Sequence, residues 1–363
     1  MRVLVTGSIC NLDVCFGELL ASHGHDVQIV RSHLDQKLNF ETLPAYPRHL
    51  SEKNFVSCEN PYDFLKLQKN ADYLLSISGA VINRFGIFWF LAPLFLRIPI
   101  ISIASGSDLS ELIINKSRLS FIYRKILKKS KRVFTPPYPR IVENLESLQF
   151  LKNVRYLKYP MLLTFSKEKT HKPGPIQILH ATNLDWGIMD NSSLRNSTKG
   201  NDRFIKGLLK ALENGANIRC AIAYRGPDRD VARDWIEKSE FRDKFNWFNE
   251  VDQHELQQLI ASADIVVDQF DVGGFGLIAL EAMSQGTAVL LHLDRKYLES
   301  QYGNFQLPVI NIKEPDQIAD FFLSANKEEL LQLGRKAKEW VWRNHSMSSD
   351  NYEELLTLLK NEG

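Results

Sequence analysis

The sequence predicts a globular α/β protein of two doubly wound domains, each a parallel sheet flanked by helices. Three observations predict it. A chain of 363 residues is long for one domain and ordinary for two. Short apolar runs alternate along it with helical stretches, the pattern of repeated strand–helix units. A polar, proline-punctuated segment, Leu157–Pro175, interrupts the series near its middle.

In the first half, the expected strands are Val3–Thr6, Asp26–Val30, Tyr73–Ser76, Ile100–Ile103 and Arg132–Thr135, because each is a short apolar or β-branched run. The expected helices are Asp13–His23, stopped by Gly24, then Tyr62–Gln68, Phe85–Phe95 and Leu119–Lys129. Ser32 to Pro61 has weak periodicity and reads as loop-rich. After Pro160, Pro173, Gly174 and Pro175 the series resumes: Ile176–Ala181, Asp202–Glu213, Ile218–Tyr224, Asp228–Lys238, Phe245–Phe248, Glu255–Ala261, Ile265–Asp268, Leu277–Gln285, Ala288–Leu291 and Pro308–Ile312. Lys327 to Lys360 reads as helical throughout. The expected division is 1–160, 161–345 and a final helical segment, 346–363, returning toward the first domain. Ligands of such sheets bind outside the carboxyl ends of the strands, so the loops after Thr6, Ser76, Ile103, Ala181 and Asp268 are where chemistry is expected.

Composition excludes several classes. Cys10, Cys15, Cys58 and Cys220 show no CxxC spacing, which argues for reduced thiols and against a zinc site. Met1-Arg-Val-Leu-Val-Thr-Gly-Ser reads as a strand entering a turn rather than a signal peptide, and the chain is expected in the cytoplasm. The most apolar region, Phe85–Leu96 and Ile98–Ile103, is broken by Arg97 and prolines into halves too short to span a bilayer. Net charge is +2, unevenly spread: +8 over residues 1–165 and −6 over 166–363. The basic excess concentrates in Arg118 to Arg132, whose Leu119, Ile122, Tyr123, Ile126 and Leu127 share a helix face. A plain surface helix and an anionic membrane surface are both open readings. Nucleic acid is disfavoured, because no recognition motif accompanies the charge.

The most informative stretch is Phe270-Asp-Val-Gly-Gly-Phe-Gly-Leu-Ile-Ala-Leu-Glu-Ala-Met-Ser-Gln-Gly-Thr-Ala-Val289, lying between the apolar runs Ile265–Val267 and Ala288–Leu291. Gly273, Gly274 and Gly276 free the backbone to approach a ligand, and a helix opening near Phe275 offers amides and a positive dipole end to a phosphate. The string resembles the motif of retaining GT-B glycosyltransferases, particularly family 4. There an acid precedes Gly-Phe-Gly, and a Glu stands eight positions after that acid, followed by Ala-Met and a Gly. The resemblance implies two Rossmann-like domains facing across a cleft, with C-terminal helices. It implies Glu281 as the ribose ligand and Gly274, Phe275, Gly276 and Leu277 as the donor turn. The family's first acid falls on Gly273, with Asp271, two positions earlier, the candidate to take its place.

Two further motifs fit the resemblance. Lys199-Gly200 matches the family's Lys-Gly facing the donor diphosphate; the residue-level alternative is a helix start capped by Asn201 or Asp202. The family's Arg after the first strand falls on Asn183, and Arg195 is the cation nearest to it in sequence. Gly106-Ser107-Asp108 matches a family Gly-Ser-Asp that faces the donor sugar or acceptor across the cleft, with Ser105 in place of its His; this makes Asp108 a catalytic candidate and Ser107 an acceptor-side one, and Gly7 in the first turn is a further acceptor-side candidate. A helix cap is the competing reading. The donor base is expected near Asn249–Val251, with Val251 lining it.

The implied reaction is sugar transfer, with retention, from a nucleoside-diphosphate sugar to a hydroxyl of a glycan or lipid-linked acceptor, in polysaccharide or glycolipid synthesis. Lys199, Arg195 and the helix start would stabilise the leaving diphosphate. No cofactor or metal is expected, because no Asp-x-Asp lies in a suitable loop. A sugar-nucleotide epimerase, an inverting transferase and a non-catalytic nucleotide-sugar-binding protein are the alternatives. A dehydrogenase is disfavoured, since the first turn lacks GxGxxG.

Overall fold

A computed structural model describes residues 1–7, 11–31, 47–58, 61–77, 98–104, 118–136, 154–163, 169–170, 173–187, 198–303 and 307–360. The chain forms two compact units, Met1–Leu162 with Asn344–Gly363, and Leu163–Arg343.

In the first unit the elements are β1 (Arg2–Thr6), α1 (Leu12–Ser22), β2 (Asp26–Arg31), β3 (Phe55–Ser57), α2 (Pro61–Gln68), β4 (Tyr73–Ile77), β5 (Ile100–Ile103), α3 (Arg118–Lys129), β6 (Arg132–Thr135) and β7 (Val154–Tyr156). The strands form one parallel sheet ordered β3-β2-β1-β4-β5-β6-β7. Burial on both faces explains why β1, β4 and β5 read as mostly apolar runs rather than alternating ones. The order reverses between β1 and β4, a crevice-forming switch point. β3 and β7, at the sheet edges, were not expected; each has three residues, too few to show a period.

The second unit contains β8 (Ile176–His180), α4 (Asp202–Glu213), β9 (Ile218–Ala223), α5 (Arg229–Glu237), β10 (Phe245–Phe248), α6 (Gln253–Ser262), β11 (Ile265–Val267), α7 (Leu277–Ser284), β12 (Ala288–Leu291), α8 (Arg295–Tyr302), β13 (Ile310–Asn311), α9 (Pro315–Ser324) and α10 (Lys327–His345). Its parallel sheet is ordered β10-β9-β8-β11-β12-β13, with the switch between β8 and β11. Ile176, Ile178, Phe204, Leu208, Ile218, Ile265 and Leu290 belong to one core. Gly207 lets α9 lie on α4, since a Cβ there would stand 2.7 Å from Cβ of Ile318. α8 and α9 were not expected as separate helices.

The continuous helix expected over Lys327–Lys360 is corrected. α10 ends at His345, a 3₁₀ turn follows at Ser349–Asn351, and α11 spans Glu353–Lys360. The serines at 346, 348 and 349 favour such a break by offering the backbone local hydrogen bonds. This segment packs within the first unit. The His345 N δ1 lies 2.8 Å from the Tyr159 carbonyl, Tyr73 Oη donates to the Leu358 carbonyl at 3.2 Å, and Arg132 pairs with Glu354. Tyr352, Leu355, Leu356 and Leu359 are buried there. The helix expected at Phe85–Phe95 lies outside the described residues.

Candidate functional site

The site is built from loops at the carboxyl ends of β8, β9 and β11. Val267 pairs with His180 in the parallel register, so the residues after these two strands emerge side by side. Lys199 returns to this point. Its N–H donates to the Asp185 carbonyl at 2.7 Å, and its carbonyl accepts from the Phe270 N–H at 2.7 Å. The Lys199 ammonium donates to Oε1 of Gln269, whose Nε2 donates to the Gly274 carbonyl at 2.9 Å. Lys199 and the glycine turn are therefore joined through one buried side chain.

The turn itself is tightly specified. Gly273 has φ +74°, a conformation that favours glycine, and its carbonyl accepts from the Asp294 N–H at 2.9 Å. Gly276 is the N-cap of α7, with Leu277 its first residue. Its N–H is not left for a ligand, as the sequence suggested; Oδ2 of Asp268 takes it at 2.6 Å. Asp268 is fully buried, and burial pushes its carboxyl up to about 6, opposed by nearby Lys199 and the Gly276 N–H. Phe275 turns its ring inward, against Tyr302 and Trp340, so its side chain belongs to the core and only its backbone lines the turn.

Glu281 lies on α7, 8% exposed. Its Oε2 accepts from Nε2 of Gln253 at 3.1 Å and of Gln257 at 3.3 Å, both on α6. Burial pushes its carboxyl up to about 7 against those two bonds. Val251 is in the connection from β10 to α6, two residues before Gln253.

Two candidate residues have partners within the protein. Asp271, the candidate to replace the acid missing at Gly273, accepts from the Thr198 hydroxyl at 2.8 Å and pairs with Arg203. It also clamps the Lys199 loop, because Gly200 (φ +65°) is packed directly against it. Asn201 does not cap α4 with its side chain; its Nδ2 donates to His180 at 2.9 Å and to the Asp268 carbonyl at 3.0 Å. His180 is buried and held down to about 4 by burial, hence neutral. Asn183 is exposed and accepts at 2.7 Å from Nε of Arg225, just after β9. The sequence reading missed Gln269, Asp268, Arg203 and Arg225; the available signal was the polar Asp-Gln pair directly after the apolar run of β11.

Arg195, Asp108 and Ser107 lie outside the described residues. Gly7 follows β1 at φ +104°, and a Cβ there would collide with the Ile77 carbonyl, so strand packing explains this glycine. On α3, Tyr123, Ile126 and Leu127 are buried, while Phe121 is 60% exposed with the Lys125 ammonium over its ring. Among the described residues, no helix is long and apolar enough to cross a membrane, and no group of three or more His, Cys, Asp or Glu is placed to hold a metal ion.

Residues 193–340 match the family model described as "Glycosyl transferases group 1". The chain is 36% identical over 121 residues to an uncharacterized glycosyltransferase of Methanocaldococcus jannaschii, a stretch covering 33% of this chain and only about a third (31%) of that relative. Solved structures share the fold. HepE of Anabaena, in complex with UDP-glucose, aligns with TM-score 0.68 at 11% identity over 99% of this chain and 100% of that one. Sucrose-phosphate synthase of Thermosynechococcus elongatus aligns with TM-score 0.65 at 12% identity over 99% and 98%. TarM of S. aureus, in complex with UDP and alpha-GlcNAc-glycerol among its ligands, aligns with TM-score 0.60 at 15% identity over 83% of this chain and 58% of its own. The chain thus has the GT-B fold, and the part of its second unit from residue 193 to 340 is similar to group 1 glycosyltransferases.

Proposed function

We propose that this protein is a glycosyltransferase that moves a sugar, with retention, from a nucleoside-diphosphate donor to an acceptor hydroxyl in polysaccharide or glycolipid synthesis. The observation that carries this reading is the joining of Lys199 to the Gly273–Gly276 turn through Gln269, with Glu281 on the helix that the turn begins. As the anomeric C–O bond breaks, charge develops on the departing diphosphate. The Lys199 ammonium and the amino end of α7 supply positive potential there, and we assign no metal ion. Glu281 accepts from the ribose hydroxyls. Both carboxylates beside the turn are committed within the protein, Asp268 to Gly276 and Asp271 to Thr198 and Arg203, which supports a displacement without a protein nucleophile.

Asp108 is assigned a catalytic role and Ser107 the acceptor side on the sequence resemblance; Gly7 of the first turn is placed on the acceptor side, and Arg195, the cation nearest Asn183 in sequence, at the diphosphate. The acceptor is a glycan or a lipid-linked hydroxyl, reached from the cytoplasmic face of a membrane that α3 touches. UDP-sugars are the first donors to test, since TarM and HepE hold UDP and UDP-glucose.

Thermal-shift screening against UDP-, GDP-, ADP- and dTDP-sugars tests the donor reading. A donor at 100 times its Kd adds roughly 2.7 kcal/mol of stability. Transfer and donor hydrolysis then separate the alternatives. Lys199→Ala should lower turnover about a hundredfold, and Asp108→Asn should lower transfer while leaving nucleotide affinity intact. Binding with no turnover on any acceptor would make this a binding protein, and release of an epimerised donor would make it an epimerase.

A further inference from the structure

Gln269 is 1% exposed and uses both ends of its amide, accepting from Lys199 and donating to Gly274. Its own carbonyl accepts from the His292 N–H at 2.9 Å, just past β12, so its main chain is fixed. A primary amide offers an acceptor and a donor in one uncharged group. That matters because the lysine stem is flexible and its rotamer entropy opposes any single geometry. It also matters for charge. The carboxylate of Asp268, held on Gly276, already faces Lys199, and that of Asp271 is held by Arg203 and Thr198. A carboxylate at position 269 would pair with the ammonium and withdraw its charge from a ligand. The neutral amide holds the ammonium and leaves that charge available.

We propose that Gln269 is a positioning residue for a diphosphate: it locks the Lys199 ammonium to the glycine turn, so that the cation and the amino end of α7 meet the ligand as one preorganised unit. The ligand's identity rests on the glycosyltransferase reading, whereas the Lys199–Gln269–Gly274 bridge is a property of the free protein.

Two measurements on Gln269→Leu and Gln269→Glu keep these apart. The first needs no nucleotide: trace acetic anhydride labelling of lysine amines, read by mass spectrometry. Lys199 should label several-fold faster in the Leu variant, with Lys206 and Lys210 of α4 unchanged; an unchanged Lys199 overturns the bridge. The second is calorimetry with UDP, GDP and ADP. The Leu variant should bind about tenfold or more weakly, as expected for a lost hydrogen bond to a charged group. The Glu variant should bind weakly at about pH 8 and regain affinity relative to wild type only toward about pH 4, because a carboxylate paired with an ammonium protonates at or below the ordinary value of about 4.3. A merely structural defect would not reverse with pH, and the Glu variant covers the case in which the Leu variant misfolds. Equal affinity of wild type and the Leu variant for a nucleotide that binds would overturn the positioning role. If none of the three nucleotides binds wild type, the diphosphate role falls, and the labelling result decides the bridge alone.

Discussion

The Asp268 carboxylate receives the Gly276 N–H at 2.6 Å, and Gly276 packs so closely on it that a Cβ would stand 2.6 Å from Oδ1 as well. The turn at the start of α7 is thus fixed by a carboxylate buried behind it. Gly276→Ala should destabilise the protein by about 1–3 kcal/mol, the usual cost of overpacking. Urea denaturation checks this; a midpoint equal to wild type would mean that the turn yields freely.

Gly334 lies inside α10, where alanine is the better helix former by about 1 kcal/mol. A Cβ there would nevertheless stand 2.7 Å from the carbonyl carbon of Gly286. Backbone cannot move aside cheaply, so Gly334→Ala should lose a net of about 1–3 kcal/mol. Gly215→Ala, at φ +89° with open space around it, should cost only about 1 kcal/mol from backbone strain. If Gly334→Ala proves stabilising, α10 does not sit this close to the Gly286 turn.

The carboxyl of Glu281 is raised from 4.5 to about 7 by burial, so the folded protein holds its proton more tightly than the unfolded chain. The cost of ionising it is absent below about pH 4.5, grows as pH rises, and is complete above about pH 7. Glu281→Gln removes that cost, worth about 3 kcal/mol at most. His180 and His345, both held down to about 4, work in the opposite direction over the same range, but they are common to both proteins. The Tm difference should therefore move in favour of Glu281→Gln between about pH 5 and pH 8. A difference independent of pH would show that Glu281 titrates normally.

The basic segment offers a sharper membrane test than its sequence alone. Lys131 donates to Tyr73 Oη at 3.1 Å and Arg132 pairs with Glu354, so altering those two would disturb the first unit. Lys125, Lys128 and Lys129 are exposed on α3 together with Phe121. Replacing the three lysines by Gln should reduce co-sedimentation with phosphatidylserine vesicles while leaving Tm nearly unchanged. Each basic residue near such a surface contributes about 1 kcal/mol. Unchanged sedimentation would leave α3 as a plain surface helix.

Much of the fold was legible because buried parallel strands are short apolar runs and their crossover helices are amphipathic; Asp202–Glu213 and Ala288–Leu291 were placed to the residue. Edge strands such as β3 and β7 were not, since they are short and half-exposed. The break after His345 was hidden by averaging over a long polar and apolar mixture. At the candidate site, the glycines, Lys199 and Glu281 could be named as candidates from the sequence because their chemistry is intrinsic to the residue type. The partners of Asp271 were not legible, because Arg203 lies 68 positions earlier in the chain.

The sequence by itself determined the strand–turn–helix units, the glycine turn and the kinds of polar and charged group the loops carry. Only the tertiary structure decided how those groups are paired: Lys199 with Gln269, Asp268 with Gly276, Asp271 with Arg203 and Thr198, Asn183 with Arg225. The reason is the parallel register of β8 against β11, which sets His180 beside Val267 and so brings together loops far apart in the chain. A hydrogen bond acts over about 3 Å of space, and sequence separation says nothing about which groups lie within that reach.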